Sequence, residues 1–249
     1  MTRLLLLAGT EEAALLARAA AAQFGPALEV VAALAAGSDR PVPRAAMVRI
    51  GGFGGGEDLT QYLRENSIDL VVDASDPFAA ALSRAAGAAC AAAGVPRLQL
   101  RPPAWPRDSF DRWIEVGGMS EAARAVRHVG RRAFVSLGGA ALDGFATLYE
   151  VNFLVRLAAL PLGKLPLPFY ELALGRGPFS PAGERHLLER HAIEVVVARA
   201  TGGAAPPAAL VAAREASLPV VMLRPPPPEP GAVVEDVDAA LAWLASRLP

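Results

Sequence analysis

The stretch Val48 to Asn66, VRIGGFGGGEDLTQYLREN, sets five glycines around one phenylalanine within six positions and then enters an amphipathic helical pattern. Glycine loses the most freedom on folding, so this spacing implies either a slack loop or backbone that must come close to something a Cβ would block. Gly51, Gly52 and Gly54 suit close approach, and Phe53 would offer a flat apolar face to a ring. A related chemistry is suggested by LLLLAGTEEAALLA, where Gly9 and Thr10 close a strand and Glu11 opens a helix whose first amides attract an anion such as a pyrophosphate. A single glycine is not the full Gly-x-Gly-x-x-Gly spacing, and a plain helix cap explains the stretch equally well. After the next strand, ALAAGSDRPVPR carries Arg40 and Arg44 with Ser38. A basic residue there suits a ribose 2′-phosphate, hence NADP rather than NAD. Asp39 in the same stretch keeps the alternatives open, and so does a simple solvated turn.

A second group of residues could hold charge or move protons. The apolar run DLVVDASDPFAAALS delivers Asp73 and then Asp76–Pro77. Asp76 suits an N-cap and Pro77 a first helical position, so capping competes with proton handling by two nearby carboxylates. Arg176 in LGRGPFSPAGERHLL and Arg199 in VVVARATGGAAPPAAL each end a strand beside glycine and precede a helix. Guanidinium forks next to glycine-exposed amides suit carboxylates or phosphates. The histidines His128, His186 and His191 show no metal-ligand spacing with Cys90 or with acids, and no Ser-His-Asp order with a nucleophile elbow is present. No metal site is expected.

These residues need elements to position them. Short apolar runs at 3–8, 28–34, 47–50, 69–73 and 98–100 read as strands, with helices at 11–23, 57–65 and 77–93 between them. LRPPAWPRDSFDRWIEV breaks the rhythm and marks a boundary. Beyond it, strands are expected at 133–137, 153–158, 169–174, 193–198 and 220–223, and helices at 121–129, 181–190, 207–216 and 237–247. RPPPPEPG, after Leu223, reads as a stiff connector to the last helix. This alternation predicts α/β architecture: two Rossmann-like, doubly wound parallel-sheet domains, residues 1–101 and 102–249, with a ligand cleft between them. The chain has 249 residues, 53% of them hydrophobic, and a net charge of −1, which argues against non-specific nucleic-acid binding. MTRLLLLAG is too short for a membrane span or signal peptide, so a cytoplasmic location is expected. All basic residues but Lys164 are arginines, a bias that GC-rich coding explains as readily as selection for anion binding.

Taken in order, GGFGG, DASDPFA, GRGPF, TGG and LPVVMLRP resemble the precorrin-6A reductase family of cobalamin biosynthesis, over nearly the whole chain from Gly9 to Pro225. The resemblance implies an NADPH-dependent reductase that reduces one double bond of the precorrin-6A macrocycle to give precorrin-6B. A closely similar branch acts on the cobalt-containing intermediate. Residues and resemblance together place Gly9, Thr10, Glu11 and Arg40 at the cofactor, with Gly51, Gly52, Phe53, Gly54 and Asp73. The motifs place Pro77 and Phe78, then Arg176, Gly177 and Pro178, at the tetrapyrrole. Arg199, Thr201, Gly202, Gly203 and Arg224 join them there. Asp76 stands where the family carries histidine, and becomes a proton donor only if burial raises its pKa; water is the alternative. Arg199–Gly203, RATGG, replaces the family's Lys-x-Ser-Gly-Gly, AAPPAAL lacks an expected lysine, and Ala8 stands where a second glycine is common. Another NADP-dependent reductase, or a tetrapyrrole or dinucleotide carrier without catalysis, remain as rival readings.

Overall fold

A computed structural model of the chain describes residues 1–34, 47–53, 56–137 and 139–248. Its elements run β1 (Thr2–Ala8), α1 (Glu11–Phe24), β2 (Leu28–Leu34), β3 (Met47–Ile50), α2 (Gly56–Glu65), β4 (Leu70–Ala74), α3 (Ala80–Ala93) and β5 (Arg97–Leu100). There follow β6 (Trp113–Val116), α4 (Met119–Val129), β7 (Arg132–Val135), β8 (Asn152–Leu157), β9 (Tyr170–Leu174), α5 (Pro181–Arg190), β10 (Val195–Arg199) and α6 (Ala208–Glu215). The chain closes with β11 (Val220–Leu223), β12 (Ala232–Val234) and α7 (Val237–Ala245).

Two six-stranded, wholly parallel sheets result, ordered β12-β5-β4-β1-β2-β3 and β6-β11-β10-β7-β8-β9. The leucine run of β1 shows why. Successive side chains on a strand point to opposite faces, so an uninterrupted apolar run suits a sheet covered on both sides. Leu4 and Leu6 enter a cluster with Leu16 of α1 and Leu244 of α7, whereas Leu5 and Leu7 enter another with Leu59 of α2 and Ala86 of α3. In the second sheet Phe134, Val196 and Met222 pack with Leu188 of α5 and Leu210 of α6.

Compact units fall at Met1–Pro103 with Thr201–Gly203 and the chain from Pro226 onward, and at Ala104–Ala200 with Ala204–Pro225. The sequence predicts a second domain from 102 to 249. In the structure the connector instead returns the chain to the first sheet, where β12 pairs with β5 and Ala240, Leu241 and Leu244 of α7 are buried. β6 and β12 were not foreseen. Both are edge strands with mixed burial, so neither carries the continuous apolar run that marks a central strand.

Cys90 lies on the buried face of α3, and burial pushes its thiol up to about 11. At pH 8 only about a thousandth of it is thiolate, so a disulfide reagent is expected to label Cys90 only as fast as the protein unfolds. Rapid labelling of the native protein would contradict this placement.

Candidate active site

In the first sheet the strand order reverses between β1 and β4: the chain leaves β1 toward β2 and β3, and later fills the other side with β4, β5 and β12. Ligands of open parallel sheets bind at such a switch point, outside the carboxyl ends of the strands. The loops that follow β1 and β4 touch here. Thr10 Oγ1 donates to Ala74 O at 3.1 Å and accepts the Ala13 amide at 3.2 Å, capping α1. A Cβ on Gly9 would lie 2.7 Å from Asp76 N and 3.1 Å from Ser75 Cα. Gly9 is glycine because the loop after β4 passes directly over it. Since Thr10 takes the Ala13 amide, the amides of Glu11 and Glu12 are left with no intrahelical partner, a donor pair that fits one phosphate.

Thr201–Gly203 follows β10 in sequence yet packs with this unit. Gly202 has φ +72°, and a Cβ there would stand 2.5 Å from Pro103 O. Gly203 N donates to that same oxygen at 3.2 Å, and its Cβ position is 3.2 Å from Glu12 Oε1. The two glycines, expected from the sequence at the substrate, therefore sit beside the start of α1.

Asp73, at the end of β4, is only 1% exposed. Its Oδ1 accepts from Ser75 N at 3.2 Å and Ser75 Oγ at 2.6 Å, and its Oδ2 lies 3.9 Å from Arg97 Nη1. The Arg97 guanidinium donates to Ser83 O and Pro230 O, while Arg101 donates to the carbonyl of buried Pro77. Asp73, expected from the sequence at the cofactor, is a sealed carboxylate that fixes the β4 loop from beneath. The Asp76 N-cap and Pro77 first-helical-position reading is also corrected. Asp76 Oδ1 accepts the Phe78 amide at 2.9 Å in a tight turn, Ala79 N donates to Asp76 O, and α3 begins only at Ala80. The reason is local: the two-residue hydrogen bond closes a turn before a helix can start.

Phe53 is 9% exposed and belongs to the core beneath α2 and α3, with Tyr62 edge-on at 5.2 Å and the Arg49 guanidinium 4.5 Å from its centroid. Its apolar area is spent on packing, and the face expected for a ligand ring carries Arg49. Gly51 adopts φ +122° with open space around its Cβ position, so the turn itself requires glycine there. Gly52 is exposed and its carbonyl accepts from Arg49 Nη2 at 3.3 Å. Arg40 and Gly54 lie outside the described residues.

In the second unit, the order reverses between β7 and β10. Arg199 is the last residue of β10 and Arg224 directly follows β11, where its amide donates to Val116 O at 2.9 Å. Arg176 follows β9 in the exposed stretch 176–180. These three arginines occupy the carboxyl edge of a single sheet. Arg199 and Arg224 are on adjacent strands, and β9 is three strand spacings from β10, roughly 14 Å at the usual separation. Among the described residues the guanidinium groups of Arg176 and Arg224 enter no hydrogen bond or ion pair. A pair missed from the sequence lies beneath this edge: Arg156 on β8 bonds to Glu184 of α5, which is 4% exposed. An arginine interrupting the apolar run FLVRL is the available signal. A cavity of about 390 Å³ opens instead at the amino ends of β7–β9, but its His191 and Glu171 pair with each other at 3.1 Å. Among the described residues no group of three or more His, Cys, Asp or Glu could hold a metal, and no helix is long and apolar enough to cross a membrane.

Two doubly wound parallel sheets, one with a capped helix start at its switch point and the other edged with arginines, define a Rossmann-like α/β protein. Its closer kinship is specific. The chain belongs to the precorrin-6x reductase CbiJ/CobK family, whose model matches residues 3–245, and it is an oxidoreductase. It is 39% identical over 247 residues to the precorrin-6A reductase of Rhodococcus erythropolis, covering 99% of this chain and 98% of that one. The precorrin-6A reductase of Rhodobacter capsulatus is 38% identical over 202 residues, with 81% and 79% covered. A cobalt-precorrin-6A reductase of Priestia megaterium is 29% identical over 155 residues, with 59% and 60% covered. Among solved structures, one described as CobK precorrin-6A reductase superposes with a TM-score of 0.90 at 37% identity, covering 99% of this chain and 97% of that one.

Proposed function

We propose that the protein reduces one double bond of precorrin-6A at the expense of NADPH, giving precorrin-6B. The observation that carries the cofactor half is the β1/β4 switch point, where two loops converge on a capped helix start whose first two amides have no intrahelical partner. The substrate half rests on relatives that are precorrin-6A reductases over nearly the full chain, and on the arginine-edged second sheet. In this reading NADPH supplies the hydride. The amides after Gly9 and Thr10 hold its pyrophosphate, Arg40 takes the 2′-phosphate, and the glycines from Gly51 admit the dinucleotide backbone. Gly202 and Gly203, packed beside α1, line the same end.

Residues 1–101 thus form the main cofactor part, and most of 102–249 the substrate part. Arg176, Arg199 and Arg224 bind the acetate and propionate arms of the macrocycle, with Gly177 and Pro178 beside Arg176. The arms are carboxylates, and fixed guanidinium groups bind them bidentately in a way a mobile ammonium would not. The proton that completes the reduction comes from water or from Asp76, which is half-buried and accepts the Phe78 amide at Oδ1.

The test is to mix the protein with NADPH and precorrin-6A and to follow both spectra. Loss of NADPH absorbance with a matching change in the macrocycle is expected. Arg40→Ala should raise the NADPH KM by about tenfold or more, the worth of one charged phosphate contact, and leave the NADH KM unchanged. If a folded protein and a verified substrate give no change, the reading fails. Turnover of the cobalt form alone would assign the protein to the other branch.

A further inference from the structure

The second sheet contains a buried device that the proposed chemistry does not use. Arg156, near the end of β8, has a side chain only 13% exposed and pairs with Glu184, buried on the inner face of α5. The Phe179 ring covers the Arg156 guanidinium, 4.1 Å from CZ to centroid, and Phe134 of β7 stands 5.7 Å away. Phe179 and Glu184 flank the start of α5, where Ser180 caps the helix by accepting the Gly183 amide at 3.1 Å. At the other end of the connection, Gly175 N donates to Leu157 O at 3.0 Å. One guanidinium therefore grips the far end of the β9–α5 loop twice, by stacking and by charge. Gly175 is what leaves room for it: a Cβ there would lie 3.2 Å from the Phe179 ring and 3.4 Å from Arg156 Nη1.

Between the two anchored ends lies Arg176, exposed, with no hydrogen bond or ion pair from its guanidinium among the described residues. A long cationic side chain binds a carboxylate well only if its backbone is already placed, because ordering a loop on binding subtracts from affinity. We infer that Arg156 is a positioning residue: gripped by Phe179 and Glu184, it pins the Gly175–Ser180 loop so that Arg176 is held ready for a carboxylate arm of the substrate. The arrangement deepens the proposed function and rests on it for the identity of the ligand, whereas the pinning itself does not.

Arg156 variants threaten folding, so the test acts on Phe179, which is 38% exposed and can be removed without leaving a buried charge unpaired. Phe179→Ala is expected to speed trypsin cleavage after Arg176 by about fivefold, as loss of a stacking contact shifts the loop toward its open form. Its melting temperature should stay close to that of the parent. In turnover with precorrin-6A and NADPH, the KM for the macrocycle should rise about two- to threefold, following the fraction of pinned loop, while the NADPH KM holds. In an Arg176→Ala background, Phe179→Ala should add nothing to the macrocycle KM. Unchanged cleavage overturns the pinning. Faster cleavage with an unchanged macrocycle KM keeps the pinning and removes Arg176 from the substrate site. An equal Phe179 effect with and without Arg176 overturns the claim that the loop acts through that residue.

Discussion

Gly9→Val should raise the NADPH KM by at least about tenfold and destabilise the protein by about 2–3 kcal/mol, the scale of overpacking against immovable neighbours. The nearest atoms to the new Cβ would be Asp76 N at 2.7 Å and the Ser75 backbone at 3.1 and 3.2 Å. Backbone cannot move aside by changing rotamer. Either the β4 loop lifts away or the β1 loop does, and in both cases the Thr10 hydroxyl loses its 3.1 Å contact with Ala74 O. The loop displaced is the one that leads into α1, so with the cofactor placed as proposed its affinity and the stability should fall together. Gly163→Ala is the control: nothing lies within 4 Å of its Cβ position, and its stability should stay within about 0.5 kcal/mol of the parent. Steady-state kinetics with NADPH and denaturant unfolding check both. A Gly9→Val protein with parental KM would mean that the contact of the two loops does not shape the cofactor site.

Arg156→Ala should cost about 3–5 kcal/mol at pH 8, the usual result of leaving one partner of a buried pair behind. Burial already raises the Glu184 carboxyl above its ordinary value, with Arg156 opposing that rise. Removing Arg156 raises it further. A carboxyl with a higher pKa folded than unfolded binds protons better in the native state, so stability grows as pH falls through the folded value. The deficit of Arg156→Ala should therefore shrink between pH 8 and pH 5. The double variant Arg156→Met with Glu184→Leu should recover most of the loss, because no buried charge remains. A deficit equal at both pH values would show that Glu184 is not left as a buried anion.

Much of the architecture is local physics. The leucines of β1, the valines of β10 and β11, and the turn residues between helical patterns dictate alternating strands and helices, since burial on two faces needs only a continuous apolar run. Thr10 as a cap, Arg199 at a strand end and the glycine-marked loops were legible for the same reason. What joined residues far apart in the chain was not. Gly9 meets Asp76, Gly202 meets Pro103, and Asp73 is sealed beside Arg97. Phe53 turns into the core rather than toward the loop surface because the apolar face of α2 covers it. Strand β12 pairs with β5 across more than half the chain, although three residues of mixed burial announce nothing. Hydrophobic periodicity specifies which side of an element is buried. Which element covers it, and which backbone must pass close enough to demand glycine, is settled only when the sheets close and every buried polar group has to find its partner.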